Sequence, residues 1–197
     1  MLASTRTNRE WRPVALIRAH VADHPAGIAV LAGEIGAALD RPVDERSSRI
    51  VTALQLAAAT PDLLSAQQTT ACAQSYARHV LHADRDGRFT ILALVWGPGQ
   101  FSPVHAHHTW CAYAVHANVL TETLYSYDPD IAAASPLRTA ERRAGYGCHG
   151  EAGLDQIHRL GNDHDRPAIS IHIYGVDGAN VTTGVNRVMA EGRPRGA

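Results

Sequence analysis

The stretch FTILALVWGPGQ, residues 89–100, gives the first clear signal of the fold: a near-continuous apolar run that ends in a turn of glycine and proline. Such a run is typical of a buried β-strand. Similar patterns recur without helical patterns between them, so the sequence predicts a mostly β fold, an antiparallel barrel or jelly roll. The other predicted strands cover residues 76–83, 110–117, 120–127 and 168–174. The predicted loops include residues 128–136 and 161–167.

The chain that precedes this β region has a helical pattern. Apolar residues recur at helical spacing over residues 27–39, and Pro42 stops the pattern. A second helix is predicted over residues 44–58, with Asp44 as its N-cap. We expect these helices to pack on one side of the barrel. The predicted organisation is one domain with a flexible arm (1–12), a helical segment (13–74), the barrel (75–190) and a flexible tail (191–197).

Composition excludes several classes of protein. Among 197 residues, 18 Lys and Arg nearly balance 19 Asp and Glu, for a formal net charge of −1. This balance excludes a strongly basic nucleic-acid binder and gives no reason to expect a membrane partner. The polar residues 1–13 do not resemble a secretory signal. Because Cys72, Cys111 and Cys148 are too few and too scattered for a disulfide framework, we expect a cytoplasmic protein. We also expect a monomer or a weak homo-oligomer.

Histidine is unusually frequent, with 12 residues, and it is the commonest metal ligand. The segment HAHH places His105 and His107 on the same face of a strand, because residues i and i+2 share a face. Two imidazoles at that spacing can converge on one ion, whereas His108 points to the opposite side. The pair therefore predicts a metal site. The alternative is a solvated loop with incidental histidines.

A third ligand has two candidates. His158 lies in QIHRL, beside apolar residues that would anchor it near a core. Glu122 is the competitor, since a carboxylate would complete a triad of two histidines and one carboxylate. A histidine in apolar company is often structural, so the residues alone leave the third ligand open.

The strand AISIHIY, residues 168–174, has two unlike faces. The isoleucines lie on one face, whereas Ser170, His172 and Tyr174 lie on the other. Three polar groups would be costly against a dry core, because an unpaired buried polar group costs roughly 1–3 kcal/mol. We interpret them as the wall of a polar cavity, with hydrogen bonds in series. A solvent-facing strand side is the alternative.

Together these motifs resemble the cupin-fold thiol dioxygenases, a family that includes cysteine dioxygenase and 3-mercaptopropionate dioxygenase. The resemblance covers residues 76–174 and rests on three segments: FTILALVWGPGQFSPVHAH, the IHR around His158, and SIHIY. It implies a cupin barrel. It also makes Glu122 a structural strand residue and gives Trp96 a packing role.

The resemblance also implies the residues of an active site. By the family pattern, a site for Fe(II) consists of His105, His107 and His158. The catalytic network beside the iron consists of Ser170, His172 and Tyr174. Three neutral histidines leave the metal charge uncompensated, so such a site favours an anionic ligand, and a substrate thiolate supplies that charge. The implied reaction is oxidation of L-cysteine with O2 to cysteine sulfinic acid.

Further positions bear on the substrate. Arg78 matches the arginine that binds the substrate carboxylate in cysteine dioxygenases, where the mercaptopropionate enzymes typically have glutamine, and Tyr76 would form a pocket wall. Arg187 is a second candidate contact for the anion. With a one-residue gap, Cys111 matches a cysteine that forms a thioether bond to the tyrosine matched by Tyr174. The alternatives are a solvated arginine and a small buried thiol.

Three other functions are carried alongside this hypothesis. The first is a dioxygenase for 3-mercaptopropionate or another small thiol acid. The second is a non-catalytic cupin that binds a metal and a small ligand. The third is a zinc-dependent isomerase or hydrolase, because imidazole ligands suit zinc equally well.

Overall fold

The computed structural model describes residues 16–18 and 26–192. Their strands form two six-stranded sheets that face each other as a near-closed barrel. The elements before the barrel proper are β1 (Leu16–Arg18), α1 (Ala26–Leu39), α2 (Val43–Ala58) and a 3-10 helix (Ala66–Thr69). The following strands are β2 (Ala77–Ala83), β3 (Thr90–Trp96), β4 (His105–His107), β5 (Cys111–Ala117), β6 (Val119–Asp128), β7 (Ala133–Arg143), β8 (Gly147–Gly150), β9 (Gly153–Gly161), β10 (Ala168–Tyr174), β11 (Asn186–Val188) and β12 (Ala190–Glu191).

The order of strands places β10 at the centre of one sheet. The first sheet has the order β1-β2-β3-β10-β5-β8, and the second has the order β11-β4-β9-β6-β7-β12. Strands β3 and β10 are buried along their whole length. Their outer face packs against the two helices, through Ile35 of α1 and Leu54 of α2. The prediction of a mostly β barrel with helices on one side is confirmed.

The structure differs from the sequence prediction at several elements. Residues 16–18, inside the predicted helical segment, form a strand that pairs in parallel with β2. Within the predicted loop 128–136, strand β7 begins at Ala133, and Pro136 lies where the register with β6 shifts. A register shift is one of the places where a sheet accepts proline, so Pro136 does not end the strand. Strands β8, β9, β11 and β12 are not among the predicted strands, because their mixed sequences lack a clear period.

The helical boundaries agree closely, with one correction. Helix α2 begins at Val43, with Pro42 in the cap position. Asp44 is therefore not the N-cap but lies in the first turn, where its charge suits the positive end of the helix. Among the described residues, no helix combines the length and apolarity needed to cross a bilayer. The predicted arm and residues 193–197 lie outside the described ranges, and Glu191 of the predicted tail pairs with Ala134.

Candidate metal centre

Three histidines meet inside the barrel. His105 and His107 lie on β4, and His158 lies on the neighbouring strand β9, where it is the register partner of His105. One ring nitrogen from each histidine lies within 4.8 Å of the other two, and all three residues are buried. The structure thus brings together the three histidines that the sequence proposes as ligands, and His108 is exposed.

Hydrogen bonds orient two of these rings through their Nδ1 atoms. His105 Nδ1 lies 2.9 Å from the carbonyl oxygen of Pro103, and His158 Nδ1 lies 2.8 Å from Glu122 Oε1. Because both partners are acceptors, each Nδ1 carries a hydrogen and donates it. The Nε2 lone pair of each neutral ring is then available to a cation, the usual arrangement of histidine ligands.

The third ring is oriented by sulfur. His107 Nδ1 lies 3.4 Å from Cys111 Sγ, and a thiol sulfur can accept a hydrogen bond as well as donate one. His107 can therefore present Nε2 in the same way as the other two rings. Burial, with help from the neighbouring histidines, lowers the pKa of His105 to about 3 and the pKa of His107 to about 2. Both rings stay neutral near pH 7, which is the form that binds a metal.

Glu122 lies behind the histidines rather than among them. One carboxylate oxygen accepts from His158, and the other accepts from Arg142 Nε at 2.8 Å. Burial alone would raise the pKa of Glu122, but the hydrogen bonds from His158 and Arg142 and the positive charge of Arg142 outweigh it and lower that pKa. Glu122 therefore fixes the orientation of a candidate ligand, a role that the sequence reasoning missed. The sequence does show that Glu122 shares a face of β6 with Leu120 and Leu124. That face points to His158 only once β9 is known to be the neighbouring strand.

The opposite sheet supplies the second group of polar residues. Ser170 Oγ lies 2.8 Å from His172 Nε2, and the Tyr174 hydroxyl lies 3.2 Å from His172 Nδ1. All three residues are buried. Their side chains lie within hydrogen-bond distance of one another in the order that the sequence proposes. Burial lowers the pKa of His172 well below its ordinary value and raises the pKa of Tyr174. Both side chains are therefore neutral at pH 7.

Two aromatic side chains extend this group. Trp96 Nε1 donates to Ser170 Oγ at 2.9 Å, so Trp96 does more than the packing expected from the sequence. The Tyr113 ring stacks on His172, with ring centroids 5.3 Å apart and an interplanar angle of 15°. The pattern of β3 and β5 puts both residues on inward faces. Their contacts with β10 depend on which strands are neighbours, and the sequence alone does not predict this.

A small cavity lies between the histidines and the β10 residues. Its wall includes Tyr76, Tyr113 and Tyr174 together with the three histidines. It also includes Asn186 of β11, whose Oδ1 is buried and has no hydrogen-bond partner among the described residues. This acceptor is a further candidate binding group that the sequence reasoning did not single out.

The donor set fits a first-row divalent metal, because imidazole nitrogens suit iron, zinc, copper and nickel. The model of the family described as cysteine dioxygenase type I matches residues 66–177, more than half of the chain. The chain belongs to this family.

Individual relatives are distant. Cysteine dioxygenase type 1 of Homo sapiens is 28% identical over 95 residues, 45% of this chain and 46% of the human protein. The Bos taurus protein matches to the same extent. This member of the cysteine dioxygenase type I family therefore spans about half the length of the curated relatives that it matches.

Solved structures of low identity also match. One is a protein with a double-stranded beta-helix domain from Klebsiella pneumoniae, at 14% identity and a TM-score of 0.47, covering 67% of this chain and 93% of that chain. Another is TT1209 from Thermus thermophilus, at 14% identity and a TM-score of 0.45, covering 58% of this chain and 97% of that chain.

In this member of the cysteine dioxygenase type I family, the candidate substrate-binding residues differ in their position relative to the cavity. Tyr76 lies in the cavity wall. Arg78 is 8% exposed and is not part of the wall, but it is the register partner of Leu94, which is. Its Nη2 donates to the Val181 carbonyl at 3.0 Å. Burial raises the pKa of Tyr76 and of Tyr174, and the positive charge of Arg78 opposes that rise.

Arg187 is a correction to the sequence expectation. It lies on β11 but is exposed and does not line the cavity. Because successive residues of a strand point to opposite faces, its neighbour Asn186 takes the inward position. Asn186 is the register partner of His107, and it replaces Arg187 as the candidate contact from this strand.

Cys111 and Tyr174 are register partners on β5 and β10. Side chains directly opposite each other on one face of an antiparallel pair have Cβ atoms about 4.5–5.5 Å apart. Both residues line the cavity. Burial raises the pKa of Cys111 above its ordinary value, so its sulfur is a thiol at pH 7.

Proposed function

We propose that this chain is an iron-dependent thiol dioxygenase that oxidises L-cysteine with O2 to cysteine sulfinic acid. His105, His107 and His158 would hold the iron through their Nε2 atoms. Ferrous iron, when bound there, supplies the redox chemistry that joins O2 to a thiolate. Family membership and the buried set of three histidines support this assignment.

Arg78 is the observation that carries the substrate class. It is a buried guanidinium, and among residues 26–192 no carboxylate forms an ion pair with it. A buried charge without a counterion is costly, and the planar guanidinium fork matches a carboxylate. Of its five N–H donors, one is engaged by Val181. A thiol that carries a carboxylate therefore suits this cavity.

Asn186 favours cysteine over 3-mercaptopropionate. Its side chain lines the cavity, and its buried Oδ1 has no hydrogen-bond donor among the described residues. The amino group of cysteine supplies an N–H donor, whereas 3-mercaptopropionate has none. With 3-mercaptopropionate bound, Asn186 Oδ1 would stay without a donor. Binding of that substrate would therefore be weaker, because a buried polar group without a partner costs roughly 1–3 kcal/mol.

The residues around the substrate have separate tasks. Arg78 orients the carboxylate, Asn186 receives the amine, and the aromatic walls of Tyr76 and Tyr113 exclude bulk water. Tyr174 places a hydroxyl group beside the candidate metal ligands, with its ring centroid 6.1 Å from that of His107. All three cysteines are unpaired, which fits the reducing cytoplasm in which we place this reaction.

A thioether between Cys111 and Tyr174 is part of the proposal. Formation of a C–S bond between Cys111 Sγ and the tyrosine ring breaks one S–H and one C–H bond, and the two hydrogen atoms would reduce one O2 to H2O2, with the iron held by the three histidines supplying the redox chemistry. The opposed positions of the two residues support it. Intact-mass analysis before and after turnover should show the loss of two hydrogens, and Cys111→Ala should lack that species. A Cys111 thiol that remains fully alkylatable after many turnovers would exclude the crosslink.

The assignment is tested by O2 consumption of the iron-loaded protein with cysteine, 3-mercaptopropionate and cysteamine, which lacks a carboxylate. We expect the highest kcat/KM with cysteine. Arg78→Gln should raise the KM for cysteine about tenfold or more and leave the KM for cysteamine nearly unchanged. Arg138→Gln, at an exposed arginine of β7, is the matched control and should change neither.

The other outcomes point to other functions. Faster turnover of 3-mercaptopropionate would assign that substrate instead. Equal effects of Arg78→Gln on cysteine and cysteamine would make Arg78 structural. An iron-loaded protein that consumes no O2 with any of the three thiols would contradict the proposed activity and favour a non-catalytic binding cupin.

A further inference from the structure

Trp96 contributes a polar group to the inner face of β3. Its side chain is 1% exposed, and its Nε1 lies 2.9 Å from Ser170 Oγ. An indole nitrogen donates a hydrogen bond and cannot accept one. The hydrogen between these two atoms therefore belongs to Trp96, and the Ser170 hydrogen has to point elsewhere.

This first hydrogen bond constrains the next one. Ser170 is fully buried. Among the described residues, its hydroxyl has one other side-chain partner, His172 Nε2, at 2.8 Å. A buried hydroxyl hydrogen without an acceptor is unfavourable. Ser170 therefore donates to His172 Nε2.

The second hydrogen bond in turn sets the third. The neutral His172 ring carries one hydrogen, and with Nε2 acting as acceptor that hydrogen is on Nδ1. Nδ1 lies 3.2 Å from the Tyr174 hydroxyl oxygen, so His172 donates to Tyr174. The hydroxyl hydrogen of Tyr174 is then not used within the series.

We propose that Trp96 is a positioning residue that fixes the direction of this series, from Trp96 through Ser170 and His172 to Tyr174. The series leaves Tyr174, which lines the cavity, with a hydrogen to donate into the cavity. In the reverse direction Tyr174 would donate to His172, and its hydroxyl would present a lone pair to the cavity instead. The consequence for turnover rests on the proposed function, but the direction of the series is a property of the metal-free fold.

The direct test is the tautomer of His172 in the metal-free protein. Long-range proton–nitrogen correlation spectra of isotope-labelled histidine distinguish a hydrogen on Nδ1 from one on Nε2, and comparison with His172→Gln assigns the signals. The wild-type protein should carry the hydrogen on Nδ1. Trp96→Phe leaves a space beside Ser170 that can admit a water molecule, which accepts the Ser170 hydrogen in place of His172, so a form protonated on Nε2 should become detectable.

Trp110→Phe is the matched control, because it removes an indole that stacks on His149 rather than one that contacts Ser170. It should keep the wild-type tautomer. A wild-type His172 protonated on Nε2 would overturn the proposal whether or not any variant folds. An unchanged tautomer in a folded Trp96→Phe protein would overturn the role of Trp96.

Turnover provides the second readout. With iron content unchanged, Trp96→Phe should lower kcat roughly tenfold, below the range attributed to a full acid–base group, and should leave the KM for cysteine within about twofold. An unaltered kcat despite a shifted tautomer would contradict the positioning role. Because the spectra need neither metal nor substrate, a correct tautomer in a protein that oxidises no thiol would count against the proposed function alone.

Discussion

The two faces of strand β10 have opposite requirements. Ile169, Ile171 and Ile173 face the helices and belong to an aliphatic core. His172 and Tyr174, on the alternate positions, face the cavity and are held by hydrogen bonds. One strand thus joins a dry interface to a polar one.

The difference lies in what each face demands of its neighbours. Aliphatic burial is non-directional and scales with area, at about 25 cal/mol per Å². It therefore tolerates substitutions that conserve volume. A buried polar group needs a partner at a defined position. The outer face should therefore govern stability and the inner face chemistry, and the following predictions test that division.

The largest effect should follow removal of a candidate ligand. His158→Ala leaves two histidines and an empty position, so iron content and O2 consumption should both fall by roughly 100-fold or more. Iron content is measured by atomic absorption and turnover with an oxygen electrode. His108→Ala, at the exposed neighbour of the HxH pair, should retain both. Full iron and turnover in His158→Ala would show that the triad is wrong.

On the outer face, Ile171→Ala should destabilise the fold without abolishing chemistry. The residue is fully buried, and removing its side chain there leaves a cavity, so the free energy of unfolding should fall by about 2–5 kcal/mol. Urea denaturation measures the loss. Val30→Ala, at a residue that is 65% exposed, should change stability by no more than about 0.5 kcal/mol. If Ile171→Ala lost its iron while stability stayed unchanged, the division between the faces would fail.

A smaller effect is expected from the residue behind a ligand. Glu122→Gln retains an acceptor for His158 but removes the negative charge, so iron affinity should fall about tenfold to 100-fold. Competition with a chelator gives the affinity. Glu141→Gln, at an exposed carboxylate of β7, is the matched control and should leave the affinity unchanged. Unaltered affinity in Glu122→Gln would limit Glu122 to a packing role.

The smallest effect is a pH dependence of the metal-free protein. Above pH 6.5 the rings of His105 and His107 are neutral in both the folded and the unfolded state. Below pH 6.5 the unfolded rings bind protons and the buried ones do not, so the free energy of unfolding should fall as the pH falls. The expected slope is about 1.4 kcal/mol per pH unit for each ring. Urea midpoints at a series of pH values measure it.

The control for this slope is His107→Gln in the metal-free form, which lacks one of the two titrating rings. Its slope between about pH 6 and pH 5 should be smaller by about 1.4 kcal/mol per pH unit. Identical slopes in the two proteins would show that the His107 ring is accessible to protons in the folded state.

The sequence determined the properties that depend on local periodicity. The strand period placed His105 with His107 and separated the isoleucines of β10 from its polar residues, because alternation along a strand is fixed by backbone geometry. The helical period likewise gave α1 and α2 nearly to the residue. These predictions need no knowledge of which strands are neighbours.

Tertiary structure decided everything that depends on pairing between distant strands. It placed His158 beside His105 and put Glu122 behind His158, whereas the residues alone left both as candidate ligands. It also brought the Trp96 indole to Ser170 and turned Asn186 rather than Arg187 toward the cavity. Periodicity tells which face of a strand a side chain occupies. Which two faces meet depends on register and sheet order, which are set by contacts far apart in the chain.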